Sequence, residues 1–385
     1  MEEKEKVNSS EENVNLSEVE TKKGNVFWTK TKSFFYKIWQ YLIKTSGGMA
    51  LGLFATLIIG TIVVQLGKAF NYKPIEQIGQ ILQALMGVGV AVGVAMTDKE
   101  LAPLNIIALG AVGALASSIN FTSDYQFYFS FLKVGEMRPS NNPLTVYLVV
   151  VAAKEISKLI LKKKTPVDIL LVPLLMVLIG GLFSFGLVIP CQLFINAISS
   201  FVETATRYQP LLMGIVISVV MGMALTAPIS SVAISVAIKL SGIAAGAACI
   251  GCCVQMVGFA VQSIKDNKIG KVLAVGIGTS MLQFQNILKK PLIWLPTIIA
   301  SAILGPIGTM CFKLECDAVG GGMGTCGLIG PINTILAMEG NPVMAWSGMI
   351  TLCIVGPIVL VGLIDFVFRK LNWIKDGDLA IWFCN

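Results

Sequence analysis

From residue 45 onward the chain alternates long apolar runs with short polar breaks. Charge-free runs at 45–67, 77–97 and 101–123 each supply the roughly 20 apolar residues that one bilayer crossing needs, which predicts three spans joined by short loops. A fourth, 143–163, carries Lys154, Glu155 and Lys158 and ends in Lys162, Lys163 and Lys164. The run 169–202 lacks charge for 34 residues, more than one span needs, so Pro190 is expected to end the fifth span and leave 191–206 as a shorter, partly interfacial helix. The stretch 208–238 lacks charge for 31 residues but is broken at Thr226-Ala-Pro228. It divides into a sixth span and a seventh helix over 228–241. Further spans follow at 243–262, 292–312 and 343–368.

Two segments fit no ordinary crossing. Residues 272–288 are short, glycine-rich and bounded by basic residues at both ends (Lys265, Lys268 and Lys271 before, Lys289 and Lys290 after), as a loop that enters and leaves on one side would be. Residues 318–338, with Gly320-Gly-Gly-Met-Gly324, read the same way. The expected fold is therefore an all-α polytopic membrane protein with about ten transmembrane helices and two re-entrant hairpins.

The ends divide from this body by composition. Residues 1–26 are polar and Ser/Asn/Glu-rich and form an expected disordered tail. Residues 27–45 alternate aromatics with lysines (Trp28, Lys30, Lys32, Phe34, Phe35, Lys37, Trp39, Lys44), which fits an amphipathic helix in the headgroup layer, or else an extension of the first span. The membrane domain covers 46–370 and a short tail 371–385 follows. With the N-terminus inside, the basic clusters at 162–164, 263–271, 289–290 and 369–370 all fall on the cytoplasmic side, as does the C-terminus, in a bacterial cytoplasmic membrane. Lys239 alone falls near the outer surface or in the interior.

Composition narrows the chemistry. Only 13% of the 385 residues are charged, against about 25% in soluble domains, and there is no histidine. Histidine acid–base chemistry, metal ligation and phosphorylation are thus excluded on this polypeptide. The net charge of +7 sits in clusters between apolar runs rather than on an aromatic-studded basic face, so no nucleic-acid partner is expected. The nine cysteines, mostly within apolar segments, do not form a secreted disulfide framework. Cys249, Cys252 and Cys253 read as small packing residues, with no cofactor or metal expected. No phosphate-binding loop, nucleophile–base pair or metal cluster points to an enzyme.

The candidate site lies in the two hairpins. The first reads Gly276-Ile-Gly278-Thr279 with Asn286 seven residues on; the second reads Gly322-Met-Gly324-Thr325 with Asn333 eight residues on. Irregular backbone at membrane depth is tolerated where it is buried in protein or lines a polar cavity, and paired broken helices are how many transporters hold their substrates. Gly-mediated helix packing is the simpler reading of the glycines alone. Pro-Ile followed by small or polar residues also recurs, with Ser230 and Ser231 after Pro228 open to either a kink or a site. Gln255, Gln262, Gln283, Gln285 and Asn286 are amides expected to face the protein interior or a cavity. Amides and hydroxyls without carboxylates suit a small neutral, hydroxylated or zwitterionic solute. Lys154 and Glu155 are intramembrane charges, with Glu155 in reach of Lys158 and the lysines able to snorkel to the interface.

The stretches Thr226-Ala-Pro-Ile-Ser-Ser231, Gly242-Ile-Ala-Ala-Gly-Ala-Ala-Cys-Ile-Gly-Cys-Cys-Val-Gln-Met256, Gly278-Thr-Ser-Met-Leu-Gln283 and Gly324-Thr-Cys-Gly-Leu-Ile-Gly330 resemble the IIC-type permeases of the sugar phosphotransferase system. More closely, they resemble the stand-alone branch described as putative toxin regulators of the perfringolysin-regulator type. The resemblance covers about 46–370. It implies a homodimeric permease of ten spans and two hairpins that moves its solute by an elevator-like shift of a transport domain, with separate cytoplasmic IIA- and IIB-type or regulatory partners. The absence of histidine fits a permease part without phosphotransfer domains of its own. The alternative is a membrane-embedded sensor that controls gene expression through a cytoplasmic partner.

Overall fold

The computed structural model describes residues 36–121, 127–129, 142–160 and 167–381. The expected tail 1–26, residues 27–35 of the expected interfacial helix and Lys162–Lys164 lie outside them. Residues 36–44 are helical, and residues 45–385 form one compact unit.

Nearly all of the described chain is helical. Five helices are long and apolar enough to cross a membrane: α1 (Tyr36–Lys68), then Asp168–Ala205, Gly242–Gln262, Pro291–Phe312 and Pro342–Lys370. The expected second span is instead a bent pair, α2 (Lys73–Ala84) and α3 (Met86–Met96), which meet at 47° at Leu85. Next come α4 (Pro103–Ser118), a two-stranded antiparallel ladder of β1 (Ile119–Phe121) with β2 (Phe127–Phe129), and α5 (Pro143–Ile160).

Pro190 does not end a helix. α6 (Asp168–Ala205) runs 38 residues through both Pro173 and Pro190. Each proline removes one backbone hydrogen bond, a loss that membrane helices tolerate when neighbouring groups adjust. The expected seventh span fails for the opposite reason. α7 (Pro210–Thr226) stops at the Thr226-Ala-Pro228 break, and the next helix, α8 (Ser231–Ala237), has only seven residues, about 10 Å of rise, and is unable to cross. Lys239 and Gly242 then take left-handed backbone (φ 50° and 60°), turning the chain into α9 (Gly242–Gln262). Lys239 is exposed on that turn.

α9 is the axis of the fold, with 16 of its 21 residues buried. It can be, because its small residues let backbones approach: a Cβ added at Gly251 would lie 1.9 Å from the Ser218 carbonyl oxygen on α7. Bulk on α9 would part it from α7.

Both expected hairpins are present as helix–break–helix units. The first is α10 (Ile269–Gly278), an extended Thr279 (φ −161°), a 3-10 turn Ser280–Gln283 and α11 (Phe284–Lys289). α12 (Pro291–Phe312) follows. The second is α13 (Ala318–Met323), a break with positive φ at Gly324, Gly327 and Leu328, and α14 (Ile329–Ala337). Neither arm of either hairpin is long enough to cross. α15 (Pro342–Lys370) is the final long helix.

The segment after α15 folds back on the first hairpin. The Asp266 carboxylate accepts from the Gly377 and Leu379 amides (2.9 and 3.1 Å), Lys271 donates to the Ile381 carbonyl at 2.6 Å, and Lys290 pairs with Asp378. Deleting residues 375–385 should therefore raise amide hydrogen exchange across 283–290 by at least about tenfold, since roughly 1.4 kcal/mol of lost hydrogen bonding corresponds to a factor of ten. Unchanged exchange there would show that the hairpin stands without its strap.

Candidate functional site

Three backbone breaks converge beside α9. The Thr325 hydroxyl of the second hairpin donates to the Gly276 carbonyl of the first at 2.6 Å. Thr226, at the end of α7, shares a 2.8 Å hydrogen bond with Ser280. Ser231, at the start of α8, donates to the Gly322 carbonyl at 2.6 Å. Helix ends carry backbone groups without intrahelical partners, and here hydroxyls from one break satisfy carbonyls of another. The two Gly-x-Gly-Thr segments noted in the sequence thus meet in space.

Behind them sits Gln255, fully buried on α9. Its Oε1 accepts from Trp294 Nε1 (3.0 Å), Thr297 Oγ1 (3.0 Å) and Thr226 Oγ1 (3.3 Å). The indole nitrogen can only donate, which fixes the amide orientation and leaves Nε2 without a protein partner.

A cavity of about 480 Å³ with mixed polar and apolar walls opens in front of the breaks. Its inner wall is Leu225, Ile229, Ser230, Ser231, Val232, Thr279, Met281, Val319, Met323, Cys326 and Ile329; its outer wall comes from α1 and α2. Ser230 is half-buried, and its Oγ caps α8 by accepting from the Ala233 amide. Thr279 is buried, and its Oγ1 accepts from the Met281 amide. Each hydroxyl accepts one backbone bond and keeps its proton for a second partner.

The expected site residues therefore separate into groups. Ser230, Ser231 and Thr279 line the cavity. Gly276, Gly322 and Thr325 join the breaks to one another, and Gln255 backs them. Gly278 and Gly324 are packing positions: an added Cβ would come within 2.6 Å of the Phe54 ring and 2.7 Å of Cys252. The three remaining amides do not reach the cavity wall. Gln283 donates to the Leu379 carbonyl (3.0 Å) and Asn286 to the Ala380 carbonyl (3.0 Å), so both hold the C-terminal strap. Asn333 donates to Asp317 Oδ1 at 2.9 Å, the same oxygen that caps α13 through the Gly320 amide.

The outer wall was missed in the sequence. Thr61, Gln65 and Lys68 on α1 and Glu76, Gln80 and Gln83 on α2 all line the cavity. Their signal was a polar stripe at helical spacing in segments read only for missing charge. A second recess, of about 440 Å³, is lined by apolar residues of α6 and α7 with Ala227, Ile229 and Trp294.

The intramembrane charges are placed differently from the expected snorkelling pair. Lys154 is buried and lies 3.4 Å from Asp98 in the turn after α3, while Lys158 bonds the same carboxylate. Burial alone would raise the Asp98 pKa, but the Lys158 hydrogen bond, the Glu100 amide and the charge of Lys154 hold it down to about 2.

The buried thiols of Cys249, Cys253 and Cys353 lie within 4.8 Å of one another, the one cluster among the described residues with metal-ligating atoms so close. Cys249 also approaches the Thr334 hydroxyl at 3.8 Å, which brings the group against α14.

Long apolar helices, two broken hairpins joined through Thr325 and Gly276, and a cavity between their breaks and the α1–α2 pair are the architecture of a multi-pass membrane permease. The description "Phosphotransferase system, EIIC" matches residues 43–381, and the chain belongs to that family. It is thus a membrane permease of the sugar type. No curated protein and no solved structure matches it.

Proposed function

We propose that the chain carries a small, neutral, hydroxylated solute across the bacterial cytoplasmic membrane, and that the solute sits in the cavity against Ser230, Ser231 and Thr279. One observation carries this reading: hydroxyls from two separate breaks face a single cavity, and the hairpins add no carboxylate to it. Sugar-like molecules present groups that both donate and accept, which such a wall complements. The short helices α8, α10, α11, α13 and α14 hold one another through Thr325, Ser231 and Thr226, so they are suited to move together. The motion in this reading is an elevator-like shift of that assembly within a homodimer, both termini remaining cytoplasmic. Phosphate transfer, where coupled to transport, would fall in this reading to IIA- and IIB-type partners of the permease.

Thermal unfolding of the purified protein against glucose, N-acetylglucosamine, mannitol, glycine and riboflavin tests the reading. A ligand at a hundred times its Kd stabilises by about 2.7 kcal/mol, so one of the sugars or the polyol should raise Tm by several degrees. A shift with glycine alone would overturn the hydroxylated-solute assignment, whereas a shift with riboflavin, whose ribityl chain is a polyol, would support it. No shift with any of them would overturn the site.

A further inference from the structure

The outer wall has a pattern of its own. Beside the apolar cavity residues of α1 (Leu53, Leu57, Ile58 and Val64), the polar ones are Thr61, Gln65 and Lys68; on α2 they are Glu76, Gln80 and Gln83. Both sets follow the i, i+4, i+7 spacing that puts side chains on one helix face. The two helices run antiparallel. Gln83 donates to Thr61 Oγ1 at 2.9 Å at one end, and at the other the backbone of Gly67 lies against that of Glu76, where an added Cβ would come 2.5 Å from the Glu76 nitrogen. The stripes therefore pair level by level: Lys68 with Glu76, Gln65 with Gln80, Thr61 with Gln83. Seven residues of helix rise about 10 Å.

Burial follows the same order along α1: Lys68 is exposed, Gln65 half-buried and Thr61 buried, as are Ser231 and Thr279 beyond it. On α2, Gln80 is exposed and Glu76 and Gln83 are half-buried. Among the described residues no ion pair joins Lys68 to Glu76, so one charge of each sign stands at the outer end of the stripes. Polar side chains that served only to glue α1 to α2 would be spent on each other. Here only the innermost level bonds across; Gln80 donates to Glu76 along α2 at 3.3 Å, and Gln65 and Lys68 line open space.

We propose that these facing stripes are the access wall of the solute site. Lys68 and Glu76 form a mixed-sign mouth, the amides of Gln65, Gln80 and Gln83 pass hydroxyl groups inward, and Ser230, Ser231 and Thr279 are the floor. This rests on the cavity being the solute site. It adds a route, one open side and a selection rule: a mouth of balanced charge favours neither anions nor cations and suits uncharged or zwitterionic solutes.

The test uses the full chain in right-side-out and inside-out vesicles, with the exposed Cys311 and the cavity-lining Cys326, and also Cys384, replaced by Ser. Single cysteines at Gln80, Gln83 and Ser230 are exposed to membrane-impermeant thiosulfonates of either charge, the cationic trimethylammonium-ethyl and the anionic sulfonatoethyl reagent. All three positions should react from the same membrane face, Gln80→Cys fastest and Ser230→Cys slowest, while the apolar, exposed Leu182→Cys on α6 stays unreactive. In the Gln83→Cys protein, Glu76→Gln should raise the anionic-to-cationic rate ratio about fivefold, and Lys68→Gln should lower it by a similar factor, as expected for a charge about 10 Å away in a partly screened site. An unreactive Gln83→Cys, with Gln65→Cys unreactive as well, would overturn the route, and an unmoved ratio would overturn the charged mouth. Labelling does not depend on the solute. A wall that labels in order while no sugar stabilises the protein would thus defeat the site assignment and not the route.

Discussion

Ser230→Phe is expected to lower uptake of the stabilising sugar or polyol at least tenfold and to remove its thermal shift. The position is half-buried on the inner wall, between the break in α7 and the start of α8. An aromatic ring there occupies the space in which the solute would lie, and 1.4 kcal/mol of lost binding already corresponds to a factor of about ten. The fold should survive. The lost cap on α8 costs about 1 kcal/mol, which lowers Tm by only a few degrees in a chain of this size. Leu182→Phe on the exposed face of α6 is the matched control and should leave uptake within twofold. Equal uptake by the two variants would remove Ser230 from the solute's path.

Asp98→Asn should destabilise the protein more than the Ser230 substitution does. The change keeps size and shape but leaves the buried Lys154 ammonium without the carboxylate 3.4 Å away. Removing one partner of a fully buried pair costs roughly 3–5 kcal/mol; here Asp98 is partly exposed and Glu155 remains 3.9 Å from Lys154, so the loss is smaller and Tm should fall by several degrees. The same pair sets a pH dependence. The Asp98 carboxyl titrates lower in the folded protein (about 2) than its ordinary value of 3.8. Its contribution is therefore fully present above about pH 4 and lost as the pH falls from 4 towards 2. The wild type should show this loss in thermal unfolding and Asp98→Asn should not. Parallel pH curves for the two proteins would mean the pair contributes nothing to stability.

The parts of this architecture that break the backbone were the legible ones. Glycine and proline leave marks that no other residue does, so Thr226-Ala-Pro228 and the two Gly-x-Gly-Thr segments located the three breaks. Their contact through Thr325 and Gly276 is a tertiary fact that no local pattern carries. Proline also misled. At Pro190 it reads as a stop, yet α6 continues, because in a long apolar helix one missing hydrogen bond is cheaper than exposing a whole end of unpaired carbonyls to lipid. The 228–241 segment was apolar enough for a span, and only the left-handed turn at Lys239 and Gly242 shows how short α8 is.

The cavity wall was half legible. Ser230, Ser231 and Thr279, which line it, adjoin breaks that glycine and proline mark. Gln283, Asn286 and Asn333 were named for the same adjacency, but their amides are engaged by the C-terminal strap and by Asp317, partners up to 96 residues away in sequence. Glu76, Gln80 and Gln83 were passed over because a search for charge-free runs discards the polar face of an amphipathic helix. Asp98 was invisible as a partner, since it lies far from Lys154 in sequence and nothing in either segment points to the other.

The most direct measurement is a cryo-EM map of the full chain with the sugar or polyol that raises its Tm. The account predicts density for that molecule in the cavity between the α1–α2 wall and the hairpin breaks, within hydrogen-bond reach of Ser230, Ser231 or Thr279. Density in the apolar recess beside Trp294, or an empty cavity with the solute bound elsewhere, would contradict it.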